Sequence, residues 1–305
     1  MQQKSMTALI SAFSRWYHAR HNAVKVFDDT VAGDLLTEAE KEGISESMRN
    51  GIGFFNPDFR GSAEEALRWI VDNQLSPTPL GRAAFCEEHL QRAVSLGARQ
   101  YLILAAGYDT FAYRQPAWAE RLSIIELDHP ATAEDKQSRL RRAGIDVPAN
   151  VAFLPVDFAG DDWPAVLLEC PAFDRSSTTL CSLLGISYHL TKERFSCILR
   201  VLSENVPRGS CLVFDYPDQD SHTGRAGARA KKQAMLAGGA KEAMLANYAP
   251  DEIERLLSAH GFLAYEHLAP DEITAQYFAE YNRANPSDAI AAFDNVNYCL
   301  AVRQP

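Results

Sequence analysis

The 305-residue chain is poor in basic residues and has no long hydrophobic segment. Its 30 Lys and Arg are outnumbered by 40 Asp and Glu, which gives a formal net charge of -10. Nucleic-acid backbones are bound largely through Lys and Arg, so this balance argues against a nucleic acid as the main partner. No apolar run is long enough to span a bilayer, and the N-terminal residues show no apolar signal core. We therefore expect a cytoplasmic protein that binds neither nucleic acid nor membrane.

Cysteine is also scarce, and it is not arranged in pairs. The six cysteines lie far apart, most of them in apolar runs: Cys86, Cys170, Cys181, Cys197, Cys211 and Cys299. Zinc sites and disulfide frameworks usually show closely spaced cysteines. The pattern predicts buried free thiols. No His/Asp cluster has the spacing of metal ligands, so no metal is expected.

Two nucleotide-binding motifs are missing from the chain. No Gly-Lys-Ser/Thr follows a glycine-rich turn, which excludes a P-loop. The dinucleotide motif G-x-G-x-x-G is also absent, because the turn at 105–107 reads Ala-Ala-Gly. A pyrophosphate needs more free backbone N–H groups than such a turn offers, whereas a ligand with a single nucleoside needs fewer. A nicotinamide-dinucleotide-dependent oxidoreductase stays an alternative, disfavoured by the missing glycines.

What the sequence does contain, from residue 96 onward, is an alternation of apolar strands and helical segments. Several strand segments lack polar alternation, as strands buried on both faces do. Repeated strand–helix units imply a parallel sheet with helices on both sides. The sequence thus predicts an α/β fold with a doubly wound, mostly parallel, seven-stranded, Rossmann-like sheet. The predicted strands are 100–106, 122–127, 151–155, 178–184, 210–215, 262–267 and 295–303.

Residues 1–95 read as mostly helical, and we predict that they form an N-terminal lid on a core of residues 96–305. Ser62 has capping-box spacing ahead of one helix. The Pro-containing segment 77–81 interrupts the pattern, so a new helix is expected from Arg82 to Leu96. Gly97 is a suitable C-terminal stop. Residues of about 218–250 are polar and then rich in Ala and Lys, which predicts a helical insertion.

Acidic residues follow the first three predicted strands. Asp109 lies in the turn after the first strand, and Asp128 ends the second, at the distance where nucleotide-binding units place an acid for ribose hydroxyls. Glu126 shares a strand face with Asp128. After the third strand, Asp157 could accept from an adenine amino group while Phe158 flanks the ring. The alternatives are a helix N-cap at Asp128 and an ordinary turn residue at Asp157.

These segments resemble the leucine carboxyl methyltransferase family, which includes bacterial small-molecule O-methyltransferases. The resemblance rests on ARQYLILAAGYDTFAYR at 98–114, on IELDHP at 125–130 with Lys136 following, and on VDF at 156–158. It covers roughly residues 80–216. It implies a class I methyltransferase fold that binds S-adenosylmethionine. It also implies in-line methyl transfer to a carboxyl or phenolic oxygen of a small molecule, although methylation of a protein C-terminal carboxylate stays open.

The resemblance also assigns residues to the cofactor. Arg82 would pair with the methionine carboxylate, Gly107 would lie under the methionine part, and Asp128 would hold the ribose. A bidentate Arg suits a planar carboxylate. The complete set of expected cofactor-binding residues is Arg82, Ala105, Ala106, Gly107, Asp109, Glu126, Asp128, Asp157, Phe158 and Leu183.

The chain departs from the family pattern at two positions. Ala105 stands where the family has its first glycine, which is tolerable only if that position needs no positive φ. Leu184 stands where the family's Trp-Glu-Gly has its acid. If that acid helps to hold the cofactor's ammonium group, another group must replace it here. Leu184 also leaves open a catalytically inactive, methyltransferase-like binding protein.

Candidate catalytic residues are expected at the carboxyl edge of the sheet, where open α/β sheets bind ligands. Tyr188 and His189 follow the fourth strand, and Asp215 and Tyr216 end the fifth. A hydroxyl acceptor needs a base such as His189, whereas a carboxylate acceptor needs none. His189 could equally cap the next helix. His222 and Tyr265 are further candidates without a spacing argument.

Overall fold

The centre of the protein is one sheet of seven strands in the order β3-β2-β1-β4-β5-β7-β6. The computed structural model describes residues 5–158, 160, 162–221, 223, 227–239 and 244–304. Strands β1 to β5 are parallel, and β7 pairs antiparallel with both β5 and β6. This topology confirms the predicted doubly wound, mostly parallel sheet. The strands are β1 (Gln100–Leu104), β2 (Ser123–Asp128), β3 (Val151–Pro155), β4 (Thr179–Leu183), β5 (Cys211–Pro217), β6 (Phe262–Leu268) and β7 (Val296–Arg303).

The sheet order places the tips of β1 and β4 at the centre of the molecule. From β1 the chain winds outward to β2 and β3, and β4 then returns to the other side of β1. Every residue of β1 and β4 is buried, because helices cover both faces of the sheet. Such a reversal of strand order opens a crevice at the carboxyl edge, where ligands bind in open α/β sheets.

Eleven α-helices lie within the described residues. They are α1 (Met6–His21), α2 (Glu38–Phe55), α3 (Ala63–Ile70), α4 (Pro77–Ser95), α5 (Pro130–Ala143), α6 (Trp163–Glu169), α7 (Lys192–Asn205), α8 (Ala228–Gly239), α9 (Pro250–Ala259), α10 (Pro270–Ile273) and α11 (Ala279–Ala284). Two π-helices, Val71–Leu75 and Thr274–Phe278, join α3 to α4 and α10 to α11. Short 3-10 turns, including Ser187–His189, occupy several connections.

The predicted start of the fourth helix at Arg82 was wrong. Helix α4 begins at Pro77, and its prolines lie in the first turn, where a backbone N–H is not needed for helical hydrogen bonding. The predicted capping box is present, because Ser62 and Glu65 exchange side-chain-to-backbone hydrogen bonds. Gly97 follows the helix with φ +110, a conformation that glycine adopts readily.

The first three helices form their own apolar cluster above the sheet. Phe13, Leu36 and Leu67 belong to it, and Tyr108 and Leu140 connect it to the rest of the molecule. Helix α4 packs differently: its buried residues join the sheet cluster that contains Tyr101, Leu180 and Val213. The predicted boundary at residue 95 therefore assigns α4 to the N-terminal lid, although α4 packs on the sheet.

The segment predicted as an insertion contains α8 and then returns to the sheet edge. An isolated bridge joins Asp218 to Tyr248, and the Leu245 N–H donates to the Tyr188 carbonyl at 2.6 Å. All six cysteines are free thiols, four of them buried, as predicted. None of the described helices combines the length and apolarity needed to cross a membrane.

Candidate cofactor and active site

Two residues of the turn after β1, separated by Ala106, have a left-handed backbone conformation. Ala105 has φ +57 and Gly107 has φ +51, and Ala105 is the sole non-glycine with a positive φ in the part of the chain that the structure describes. The position that the family fills with glycine therefore does need a positive φ, contrary to the condition set for Ala105. An L-residue pays about 1 kcal/mol or more for this conformation. The bend ends β1 at Leu104 rather than at 106.

Asp128 ends β2 and is bound to the turn after β1. Its Oδ2 accepts a hydrogen bond from the Gly107 N–H, and its Oδ1 accepts one from the His129 N–H at 2.6 Å. Burial raises the pKa of Asp128 despite these two bonds. The N-cap alternative for Asp128 was wrong: His129 caps α5 by accepting from the Ala131 N–H at 3.3 Å.

Glu126 lies on the same face of β2 but is buried beneath Asp128. Its Oε2 is 2.6 Å from Lys136 Nζ, and its Oε1 accepts from the Tyr113 hydroxyl at 3.1 Å. Both Glu126 and Lys136 are almost fully buried. Burial raises the pKa of Glu126, although Lys136 opposes the shift. Both carboxylate oxygens of Glu126 are thus engaged by protein donors.

The segment after β3 continues beside the tip of β2, because the Val156 N–H donates to the Asp128 carbonyl at 2.8 Å. Asp157 is exposed at this edge. Phe158 instead turns into the core, where its ring lies 5.2 Å from that of Trp163. In the first turn, Asp109 Oδ1 accepts from the Phe111 N–H at 2.8 Å.

Arg82 reaches from α4 to the tips of β4 and β5. Its Nη1 donates to the Tyr188 hydroxyl at 3.0 Å and to Asp215 Oδ2 at 3.3 Å. Its Nε and Nη2 have no hydrogen-bond partner among the described residues, and the side chain is 15% exposed. Burial and Asp215 raise the pKa of Tyr188 to about 12, although Arg82 opposes the shift. Tyr188 therefore stays protonated at neutral pH.

The other candidates take separate positions. Leu183 is fully buried at the end of β4. Tyr216 is also fully buried, and its hydroxyl pairs with His267 on the sheet face that carries Phe214 rather than the face of Asp215. The structure therefore does not bring Tyr216 to Arg82, because neighbouring residues in a strand point to opposite faces.

His189 ends the 3-10 turn Ser187–His189, next to Tyr188, with the two ring centroids 4.9 Å apart. Its capping alternative was wrong, because Thr191 caps α7 by accepting from the Arg194 N–H at 3.3 Å. Tyr265 is 71% exposed on the edge strand β6. His222 lies outside the described residues.

Asp215 and Gly185 make contacts that the sequence does not reveal. Asp215 is completely buried, and its Oδ1 accepts from the Gly185 N–H at 2.6 Å. The signal in the sequence is an acid directly after the apolar run 212–214. A carboxylate in such a buried strand needs hydrogen-bond or ion-pair partners. Identifying those partners requires knowing that α4 packs across β4 and β5.

Helix α1 lies directly over the turn after β1. A Cβ at Gly107 would lie 3.5 Å from the Ala8 methyl, and Arg15 Nη2 donates to the Tyr108 carbonyl at 2.7 Å. Arg15 is itself held by Asp29 at 2.8 Å. The first helix thus covers the carboxyl edge at the centre of the sheet.

Comparison with known proteins shows which family this chain resembles. The model of the leucine carboxyl methyltransferase family matches residues 8–203. YktD of Bacillus subtilis (strain 168), whose name proposes an S-adenosyl-L-methionine-dependent methyltransferase, is 39% identical over 99% of both chains. A Mycobacterium marinum protein whose name proposes the same activity is 31% identical over 53% of this chain and 49% of its own length.

Solved structures share the fold at low sequence identity. A DUF574 family protein from Streptomyces avermitilis MA-4680 matches with a TM-score of 0.61 and 16% identity, over 97% of both chains. A protein from Thermobifida fusca YX, whose title proposes a methyltransferase, matches with a TM-score of 0.55 and 14% identity, over 85% of this chain and 94% of that one. From its sequence matches over most of its length, this chain belongs to the leucine carboxyl methyltransferase family.

Proposed function

We propose that this S-adenosylmethionine-dependent methyltransferase transfers the methyl group to a carboxyl or phenolic oxygen of a small molecule. Methyl transfer from S-adenosylmethionine follows from the family; the oxygen acceptor, its small size and the site residues are the proposal. The fold and family give no support to the alternative of a nicotinamide-dependent oxidoreductase. We expect neither nucleic acid nor membrane as partner.

The order of side chains along the sheet edge is the observation that carries the proposed site. Reading across neighbouring strands, Asp157 follows β3, Asp128 ends β2, Gly107 follows β1, and Arg82 reaches the tip of β4. Adjacent strands lie about 4.8 Å apart, so these four positions span about 14 Å. Their chemistry matches the adenine, ribose, sulfur and carboxylate of one extended S-adenosylmethionine, in that order.

The described residues fit this ligand. Gly107 has no side chain where α1 and the turn approach each other, and Asp128 is an acceptor at the strand tip. The Nε–Nη2 edge of Arg82 offers the paired donors that a carboxylate accepts. We do not retain Glu126 as a ligand contact, because its carboxylate is buried beneath the strand tip, whereas Asp128 is partly exposed there. Its role is to support the tip of β2.

In the proposed reaction the protein mainly positions and encloses the reactants. When bound, S-adenosylmethionine supplies an electrophilic methyl group on its sulfonium. Asp128 and Arg82 would hold the ribose and the carboxylate of the ligand, and α1 packs against Gly107. Such positioning is the main catalytic contribution expected for an intrinsically reactive donor.

Tyr188 and His189 differ in whether they could serve as a base for the acceptor. Tyr188, with its pKa raised to about 12, does not serve as a base at neutral pH but can donate or accept a hydrogen bond as a neutral phenol. His189, next to it, is our candidate base for a hydroxyl acceptor. A carboxylate acceptor is already ionised and requires neither residue as a base.

Calorimetry with S-adenosylmethionine and S-adenosylhomocysteine tests the proposed cofactor site, and a panel of small carboxylic acids and phenols tests the acceptor. We expect saturable binding of both cofactors and methyl transfer to an oxygen of at least one panel member. Absence of binding at high micromolar ligand would contradict the site. Binding without transfer to any acceptor would favour the inactive binding protein instead.

A further inference from the structure

We infer that Asp215 is a positioning residue that aims Arg82 at the carboxylate of the cofactor. The inference rests on the proposed function, because it assumes that Arg82 receives this carboxylate. Its basis is the contact between Arg82 Nη1 and Asp215 Oδ2, 3.3 Å apart, at the tips of β4 and β5.

The Asp215 carboxylate is fixed in one orientation. The side chain is completely buried, and its Oδ1 accepts from the Gly185 N–H at 2.6 Å. The carbonyl of the same residue accepts from the Ser187 hydroxyl at 2.6 Å. With one oxygen bound to the turn after β4, the other oxygen must face Arg82. A buried carboxylate is tolerated only when it has such partners.

Gly185 gives the guanidinium its place. A Cβ at this residue would lie 2.3 Å from Arg82 Nη1 and 2.6 Å from Nη2, and the residue has φ +75. The positive φ favours glycine, and any side chain at this position would have to displace the guanidinium. The guanidinium packs against the bare backbone of the turn that Asp215 holds.

All the hydrogen bonds that the structure gives Arg82 use a single nitrogen. Tyr188 and Asp215 both bind Nη1, which leaves the Nε–Nη2 edge for a ligand. That edge presents two parallel N–H groups, the geometry that a carboxylate binds bidentately. Asp215 thus selects which edge of Arg82 faces the ligand.

Leu184 cannot take this role, because its side chain carries no polar atom and packs against an apolar cluster. The acid beside the turn 183–185 comes from the neighbouring parallel strand instead, since Leu183 at the end of β4 pairs with Phe214, the residue before Asp215.

Two ligands that differ only at the amino-acid end test the inference. S-adenosylhomocysteine carries the carboxylate, whereas 5′-deoxy-5′-methylthioadenosine has the same adenosine and sulfur without the amino acid. Calorimetry on the wild type and on Asp215→Asn gives the ratio of the two affinities. We expect Asp215→Asn to weaken S-adenosylhomocysteine about tenfold and to leave methylthioadenosine within about twofold, because Asp215 acts only through Arg82.

Arg82→Ala supplies the matched comparison. It should abolish the preference for S-adenosylhomocysteine over methylthioadenosine. Adding Asp215→Asn to Arg82→Ala should change the ratio of the two affinities no further, because residues that act as a unit are not additive. Gly185→Ala keeps both charges but places a methyl group against the guanidinium. It should also reduce the preference, and it serves as the second variant should Asp215→Asn fail to fold.

The outcomes separate the two levels of the proposal. A wild type that binds neither ligand overturns the proposed function. A wild type that binds both, with an unchanged affinity ratio in Asp215→Asn and Gly185→Ala, overturns the positioning role alone. Equal weakening of both ligands would show that Asp215 is merely structural, and so would an effect that adds to Arg82→Ala.

Discussion

Ala105 shows how a single residue can carry strain at the centre of a site. Left-handed backbone at φ +57 is costly for alanine, and the turn after β1 nevertheless keeps it. Strain of this kind persists where the surroundings determine the conformation. Here the Asp128–Gly107 hydrogen bond and the packing of α1 fix the turn.

Replacing Ala105 with glycine should therefore stabilise the protein. Glycine adopts φ +57 without a steric penalty, and this gain exceeds the entropy that glycine adds to the unfolded chain. We expect Ala105→Gly to raise the free energy of unfolding by about 0.5–1 kcal/mol in chemical denaturation. The neighbouring Ala106, with an ordinary φ, is the control: Ala106→Gly should destabilise. Lower stability in Ala105→Gly would show that the turn is not strained.

Asp128 is the residue whose loss should affect cofactor binding most directly. Asp128→Ala removes the acceptor for the ribose hydroxyls and also releases the Gly107 N–H. We expect the free energy of S-adenosylhomocysteine binding to weaken by about 1–3 kcal/mol in calorimetry. The exposed Asp146, in the connection between α5 and β3, provides the control Asp146→Ala. Equal affinities in the two variants would remove Asp128 from the site.

At the scale of elements, the π-helix Val71–Leu75 holds a buried charge. Asp72 is 3% exposed, and its Oδ1 has no hydrogen-bond partner in the described part of the chain. Arg68 Nε lies 3.5 Å from the other oxygen. Burial raises the pKa of Asp72 to about 6, and Arg68 only partly offsets the shift.

The sign of the resulting pH dependence follows from these values. The pKa of Asp72 in the folded protein, about 6, exceeds its ordinary value of 3.8. The contribution of Asp72 to the free energy of unfolding is therefore fully present below pH 3.8 and is lost as the pH rises through 6. Asp72→Asn should therefore raise the melting temperature at pH 8, by an amount equivalent to about 1–2 kcal/mol. The gain should shrink at pH 5. A gain of equal size at both pH values would contradict the raised pKa.

Local patterns predicted most elements but not their ends. The unbroken apolar runs identified the parallel strands because such strands are buried on both faces. The stop of β1 at Leu104 depends on the left-handed turn at Ala105, which no apolar pattern shows. The start of α4 at Pro77 was missed because proline breaks a helix in its interior but not in its first turn.

The same limit applied to the candidate site. Asp128 and Gly107 were recognisable because strand, turn and acid follow one another closely in sequence. The Asp215–Arg82 contact joins residues 133 positions apart and depends on how α4 crosses the sheet. Tyr216 was expected at the same edge as Tyr188. It lies on the sheet face opposite Asp215, because adjacent residues in a strand face opposite sides.

At the scale of the whole molecule, the N-terminal helices and the sheet edge form one enclosure. Ala8 approaches Gly107, and Arg15 binds the Tyr108 carbonyl, so α1 contacts the same turn that Asp128 holds. From the other side, Lys232 of α8 donates to the Phe55 carbonyl at the end of α2 at 2.6 Å. We therefore expect ligand binding to be coupled to the stability of α1.

Hydrogen exchange measured with and without S-adenosylhomocysteine tests this coupling. Because α1 contacts the turn beneath the bound ligand, we expect its amides to exchange about tenfold more slowly in the complex. Helix α9, which precedes β6 at the far side of the sheet, serves as an internal reference and should change little. Equal protection of α1 and α9 would show only global stabilisation.

The position of α1 has a practical consequence for handling the protein. Met6 begins this helix, and Ala8 lies against the turn after β1, so we expect a purification tag at the N-terminus to disturb the proposed cofactor site. Strand β7 runs antiparallel to β5 and brings Arg303 to the opposite edge of the sheet. A tag or fluorophore joined there should leave turnover measurements undisturbed.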